Sequence, residues 1–231
     1  MDEQKTKTAI PASGGLMPLL TASAVLLDMD GTLVNSDAVV ERSWRRWAAR
    51  YGLDGAYVYA ISHGRQGHET MAGLLPGRSR EQNLAEAREL AAAEAADVDG
   101  VIPVPGASWF LAALAGVPHA LVTSATDAIA RVRMGAVGLP LPPVMVTADQ
   151  VSAGKPAPEG FLKAAATLGV DPADCVAFED SAAGLAAAKA AGMRTIGIGQ
   201  RALAHKPELH AKDFTDLRLE TAPGGVVHIS L

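Results

Sequence analysis

Five short runs of apolar and β-branched residues punctuate the chain: SAVLLD (23–28), HALVTS (119–124), VMVTA (144–148), CVAFED (175–180) and TIGIG (195–199). They are continuous rather than alternating, the pattern of strands covered on both faces. Between them lie Ala-rich segments whose apolar positions recur at helical spacing, such as GASWFLAALAG, DAIARVRMGAVGL, EGFLKAAATLGV and SAAGLAAAKAAGM. Strands alternating with helices predict an α/β fold, a doubly wound parallel sheet.

The rhythm breaks after the first run. Residues 38–103 hold helical patterns and Gly-containing turns but no convincing strand, which predicts an α-helical domain inserted into a core of residues 21–37 and 104–231. DAVVERSWRRWAARYGL predicts its first helix, with Trp44 and Trp47 three apart on one face. Such a pair packs a domain core more often than it contacts a substrate. SREQNLAEARELAAAEAADV predicts a second, with Ser79 as N-cap and Gln82 at the capping-box position. PVPG (103–106) is the expected linker back. At the far end, HAKDFTDLRLE suggests a closing edge strand and helix, and TAPGGVVHISL a short β-like end. Residues 1–20 carry early acids and an apolar patch broken by Gly and Pro, so they read as a flexible extension rather than a signal peptide or membrane span.

Composition narrows the class. Hydrophobic residues make up 49% of the 231 and aromatics only 4%, so the chain can bury a core, built mainly of Ala, Val and Leu. That excludes a disordered chain. A net charge of -5 with no long basic run argues against electrostatic capture of nucleic acid or an anionic membrane, so any bound anion must be held by local groups. The lone Cys175 has no internal disulfide partner and sits in an apolar run, where a small core residue is the default. A cytoplasmic monomer is the expectation.

Ligands in open parallel sheets bind beyond the carboxyl ends of the strands. Asp28 ends the first run, Thr123 and Ser124 the second, and Glu179 and Asp180 the fourth. Each has a plain alternative. Asp30-Gly31 could form a hairpin turn, Thr123-Ser124 and Asp180-Ser181 could each N-cap the next helix, and Lys155, before Pro156, could be a solvated loop residue. The ordered set is harder to explain that way, because strand ends in a parallel sheet point the same way and converge on one crevice. Asp28 and Asp180 there could hold a hard dication such as Mg²⁺, which takes one or two carboxylates plus water and a phosphate. Asp28 could then attack phosphorus, with Asp30 moving protons and Lys155 and Thr123 balancing charge on the phosphoryl oxygens.

DMDGTLV, LVTS, GKPAPEGF and FEDSAAGLAAAKAAGM resemble, in order and separation, the four signature motifs of the haloacid dehalogenase superfamily, and the helical insertion resembles its cap of the first class. The resemblance implies a Rossmann-like core with Asp28 as nucleophile, Asp30 as acid/base, Thr123 as the second-motif hydroxyl and Lys155 as the third-motif lysine. It also implies a Mg²⁺ site at Asp28, Asp180 and Glu179, with the backbone carbonyl of Asp30 as a further ligand.

Within that superfamily, Asp30 argues against dehalogenation, because a halide leaving group needs no proton. No lysine lies between Asp37 and the GKP segment, which removes the Schiff-base lysine of the family's phosphonate hydrolases. A phosphatase and a β-phosphoglucomutase-like mutase remain. A binding protein without turnover is the reading from another class, and an intact nucleophile counts against it. HGR, within SHGRQGHET (62–70), resembles the cap loop of phosphatases acting on small sugar and polyol phosphates, so His63, Gly64 and Arg65 join Ser124 of the second motif as the expected substrate-binding residues, with an exposed turn as the plain alternative for the loop. The favoured expectation is a Mg²⁺-dependent phosphatase forming an aspartyl-phosphate, with a small phosphorylated sugar or polyol as its substrate.

Overall fold

A computed structural model describes residues 20–222 and 224–231, so the expected extension falls, up to residue 19, outside the described residues. Leu20 is already buried in strand β1 (Leu20–Ala22), which β2 (Ala24–Leu27) and the two-residue β3 (Val34–Asn35) follow. Four helices come next: α1 (Asp37–Arg50), α2 (Gly55–Ser62), α3 (Gly67–Leu74) and α4 (Arg80–Ala95). The chain returns through β4 (Ile102–Pro103), and strands then alternate with helices: α5 (Ala107–Ala113), β5 (His119–Val122), α6 (Asp127–Ala136), β6 (Val144–Val146), α7 (Glu159–Leu168), β7 (Cys175–Glu179), α8 (Ala182–Ala190), β8 (Arg194–Ile198), α9 (Gly199–Leu203) and β9 (Leu209–Ala211). β10 (Arg218–Thr221) and β11 (Val227–Ser230) close it. Among the described residues no helix is long and apolar enough to cross a membrane.

The main sheet is six-stranded in the order β6-β5-β2-β7-β8-β9. Every pairing in it is parallel. The four apolar residues of β2 are all buried because the strand is covered twice. Val25 and Leu27 face a core shared with α5 and α6, while Ala24 and Leu26 face one shared with α7 and α8, as the two-residue strand period requires. Phe110, Phe178 and Phe214 cluster in the first core, with ring centroids 4.7–5.8 Å apart. The chain runs from β2 out to β5 and β6 on one side and then resumes at β7 on the other. That reversal opens a crevice beyond the carboxyl ends of β5, β2 and β7.

The strand expected in TAPGGVVHISL is present as β11, but two pairings escaped the sequence pattern. β1, β11 and β10 form a small antiparallel sheet, with Leu20 opposite Ile229. Its strands are short and mix polar with apolar residues, so each signal is weak. β3 and β4 pair antiparallel where the chain leaves for the four helices and comes back.

The helical block has its own apolar cluster of Trp44, Trp47, Ala48, Val58 and Met71. The tryptophans meet edge to face at 5.5 Å in the packing of the block, and Trp44 also borders the cleft beneath it. Ser79 and Gln82 make the reciprocal capping box at the start of α4. Glu86 ties the block together: it accepts from Trp47 Nε1 at 2.7 Å, from the Tyr51 hydroxyl, and from both terminal nitrogens of Arg78 at 2.7 and 2.9 Å. Arg78, against partial burial, holds its carboxyl down at about 2, below the usual 4.5. A depressed pKa contributes stability fully above the unfolded value and loses it as pH falls through the folded one. Thermal melts followed by tryptophan fluorescence should therefore lose Tm below about pH 4.5. Glu86→Gln should melt lower at pH 7 and flatten that acid limb; an unchanged profile would remove Glu86 from this role.

Candidate active site

The turn after β2 places its carboxylates by tight backbone geometry. Met29 O accepts from the amides of Thr32, Leu33 and Val34, and the Met29 side chain is buried in the core, so Asp28 and Asp30, one residue to either side, project away from it. Gly31 adopts φ +84°, and a Cβ there would lie 2.1 Å from Asp180 Oδ2. Only glycine lets the first motif come this close to the fourth.

Lys155 is buried at 5% exposure, not solvated. Its ammonium donates to Asp28 Oδ1 at 2.6 Å, Glu179 Oε1 at 2.6 Å and the Val122 carbonyl at 2.9 Å, which uses all three of its donors. Glu179 Oε2 in turn accepts from Ser181 Oγ and from the amides of Asp180 and Ser181. Gly184 makes room for this carboxylate: a Cβ there would sit 1.8 Å from Glu179 Oε1. Ser181 does cap α8, accepting from Gly184 N, but α6 is capped by Thr126. Thr123 and Ser124 are thereby left for the crevice.

Charge is unevenly matched here. Burial, then repulsion from Glu179, pushes Asp28 well above its usual range, against the pull of Lys155. Asp180 is raised to about 7, by burial first and by Glu179 second, although Arg201 Nε donates to its Oδ2 at 2.9 Å. Burial would lower the Lys155 pKa, but Asp28 and Glu179 hold it above its usual value.

Asp28, Glu179 and Asp180 each offer a buried oxygen, all within 4.8 Å of one another. An all-oxygen set of crowded carboxylates, two of them driven toward protonation, fits a hard divalent cation that would relieve the repulsion. Glu179 is the most fully engaged of the three, since Lys155 and the start of α8 occupy both of its oxygens.

Asp30 takes two hydrogen bonds on one oxygen, from Ser36 Oγ at 2.6 Å and Arg133 Nη1 at 2.8 Å. Arg133 and Arg201 were not among the expected site residues. Arg133 left a trace: it falls among Ile129, Ala130 and Met134 on the buried face of α6, where a charge needs a reason. Arg201 left none, because its partners Asp37 and Asp180 are distant in sequence.

The helical block roofs the crevice, leaving a cleft of about 650 Å³ that Asp28, Asp30, Thr123, His63 and Arg65 border. Gly64 adopts φ +72°, and a Cβ there would clash with Ser181 Oγ at 2.1 Å; its carbonyl accepts from Ser124 Oγ at 2.9 Å. Ser124 therefore touches the roof directly. Glu69, on α3, accepts from Gly154 N at 3.1 Å, next to Lys155. His63 meets Tyr59 edge to face and points Nε2 toward Asp37 at 3.7 Å, too far for a hydrogen bond, so that nitrogen is buried without a partner. Arg65 is exposed and has no acidic partner among the described residues.

A parallel sheet with its acidic strand ends under a helical roof is an architecture shared with solved structures. β-Phosphoglucomutase from Clostridium difficile superposes with a TM-score of 0.75 over 85% of this chain and 93% of that one, at 22% identity, a likeness of fold. The chain belongs to the haloacid dehalogenase-like hydrolase family, whose sequence model matches residues 22–192. Among curated relatives, hexitol phosphatase A of Escherichia coli (strain K12) is 41% identical over 84% of this chain and 90% of that protein. Validoxylamine A 7'-phosphate phosphatase of Streptomyces hygroscopicus subsp. limoneus is 36% identical over 84% of this chain and 94% of its own length.

The packing around Glu179 is testable on its own. Gly184→Ala forces a Cβ into that carboxylate and should cost about 1–3 kcal/mol by overpacking. Thermal melting would check it, and a variant as stable as the parent would show that Glu179 has room to move.

Proposed function

We propose that the chain is a Mg²⁺-dependent phosphatase of small sugar or polyol phosphates, working through an aspartyl-phosphate on Asp28. The observation that carries the reading is Lys155 fixing one oxygen of Asp28 at a strand end while Asp30 stands two residues on, both facing a roofed cleft. The named activities of the two relatives, on a hexitol phosphate and on validoxylamine A 7'-phosphate, support the substrate class.

Asp28 and Asp180, with the Asp30 main-chain carbonyl, would hold the cation, and Glu179 would border the site while locking Lys155. The bound cation would offset negative charge on the phosphoryl oxygens and keep Asp28 ionised. Lys155 occupies Oδ1 of Asp28, so Oδ2 is the oxygen that attacks phosphorus. As the bond to the leaving oxygen breaks, Asp30 donates that oxygen a proton and the alcohol departs. Water then attacks the phosphorus of the aspartyl-phosphate and gives its proton to Asp30. The bond from phosphorus to Asp28 breaks and phosphate leaves. Thr123 Oγ1 accepts from Ala125 N at 3.0 Å, which leaves its own proton for a phosphoryl oxygen. Arg65, with Ser124, His63 and Gly64 shaping the loop, would meet the hydroxylated end of the substrate.

The test is phosphate release with Mg²⁺ across hexitol phosphates, glycerol phosphate, sugar phosphates and β-glucose 1-phosphate. Release should be seen with the wild type, vanish in Asp28→Asn, and fall about 10²–10⁴-fold in Asp30→Asn. Isomerisation of β-glucose 1-phosphate without free phosphate would replace the phosphatase with a mutase. Chelation by EDTA should stop turnover and added Mg²⁺ restore it; full activity after chelation would remove the metal from the mechanism. Arg65→Ala should cost about tenfold in kcat/KM on a hexitol phosphate, the worth of one charged hydrogen bond, and little on an aryl phosphate. Equal losses on both would make the loop scaffold.

A further inference from the structure

We propose that Arg133 is a positioning residue for Asp30: it fixes which carboxylate oxygen faces the reacting phosphate, and Glu94 of α4 holds Arg133 at that post. The inference rests on the acid/base role given to Asp30 above and adds a residue to it.

Arg133 lies on the buried face of α6, and its side chain is 3% exposed. A guanidinium there is costly unless it is paired, and an apolar residue would pack the helix at lower cost. Its two partners come from different parts of the fold. Nη1 donates to Asp30 Oδ1 at 2.8 Å, in the turn after β2, and Nη2 donates to Glu94 Oε2 at 2.8 Å, near the end of α4. Nε is buried without a partner. An orphaned donor on a buried arginine indicates that the two carboxylates, and not its own hydrogen-bonding needs, set its orientation.

The bonds to Asp30 share one oxygen. Ser36 Oγ and Arg133 Nη1 both donate to Oδ1, at 2.6 and 2.8 Å, which restrains the carboxyl group and leaves Oδ2 without a hydrogen-bond partner among the described residues, on a side chain that borders the cleft. Exposure follows the same order: 29% for the Asp30 side chain, 9% for Glu94 and 3% for Arg133. Arg133 and Glu94 border the same cleft as Asp30 but are far less exposed than it, and both terminal nitrogens of Arg133 are taken by carboxylates, so it orients proton transfer without performing it. Lys155 does the same for Asp28 by occupying Oδ1, so each aspartate has one oxygen anchored and one left for chemistry.

A group that orients the acid/base matters only to steps that move a proton. A hexitol phosphate loses a poor alkoxide leaving group and needs the proton from Asp30, whereas 2,4-dinitrophenyl phosphate loses a stable phenolate and needs none. Hydrolysis of the aspartyl-phosphate needs Asp30 as base with either substrate. The experiment is rapid mixing of wild type, Arg133→Met, Arg133→Lys and Glu94→Gln with both substrates and Mg²⁺, beside thermal melts. Arg133→Met should lower kcat on the hexitol phosphate roughly tenfold to hundredfold, part of the full general-acid contribution. KM should stay within about twofold, as expected for an interaction that acts in the transition state. On the dinitrophenyl ester the burst of phenolate should keep its rate while the steady phase after it slows. Arg133→Lys should recover part of the loss, and Glu94→Gln should fall between. A folded Arg133→Met with wild-type kcat overturns the proposal, as does a burst that slows in step with the alkyl ester. If Arg133→Met does not fold, the same split is read from Arg133→Lys and Glu94→Gln, and a phenolate burst that slows there as much as turnover of the hexitol phosphate overturns it. Absence of phosphate release by the wild type is a separate failure, that of the phosphatase reading, and it removes the role assigned here as well.

Discussion

The ammonium of Lys155 joins the carboxyl ends of three adjacent strands. It reaches Asp28 beyond β2, the Val122 carbonyl at the end of β5 and Glu179 at the end of β7, all within 2.9 Å. Each carboxylate alone would be a buried charge with little water, and the lysine alone would be worse placed still. Removing one member of such a cluster leaves the others uncompensated, at a cost of several kcal/mol by the usual measure of about 3–5 for a broken buried pair. The strand order places the three ends side by side, and the loop carrying Lys155 must cross them. The crevice therefore has a rigid floor, and everything above it is built with reference to that floor.

The roof meets this floor through polar contacts at a few points. Ser124 donates to the Gly64 carbonyl, Glu69 accepts from Gly154, and Arg201 links Asp37 at the start of α1 to Asp180. The helical block has an apolar cluster of its own around Trp44 and Trp47, while Ala91 and Ala95 of α4 pack against the main core. Glycine is used where the seam is tightest, at Gly31 against Asp180 and at Gly64 against Ser181.

The electrostatics of floor and seam have one logic. Three carboxylates face Lys155 and Arg201, and burial raises Asp28 and Asp180. Such an arrangement is unfavourable for the isolated chain and favourable for a chain with a hard cation and a phosphoryl group between the acids. Stability is given up locally where binding needs unmet charge.

Much of this was legible in the residues. The continuous runs at β2, β5 and β7 marked strands covered on both faces, Ser79 and Gln82 marked the start of α4, and the acidic strand ends marked the crevice. These are properties of local spacing, which the chain carries whatever its surroundings. Family membership follows from the same short-range motifs. The end segment was read as β-like, but its pairing with β1 and β10 into a small sheet was not legible, because those strands are brief and half polar. Nor could spacing say which charges meet. Lys155 is 127 residues from Asp28, and Arg133 is 103 from Asp30. The chain by itself determined which chemical groups are present, their order and the elements that carry them. Only the tertiary structure decided that Lys155 is buried between two carboxylates, and that Arg133 rather than solvent holds Asp30, because pairing across such separations depends on how the sheet and helices pack.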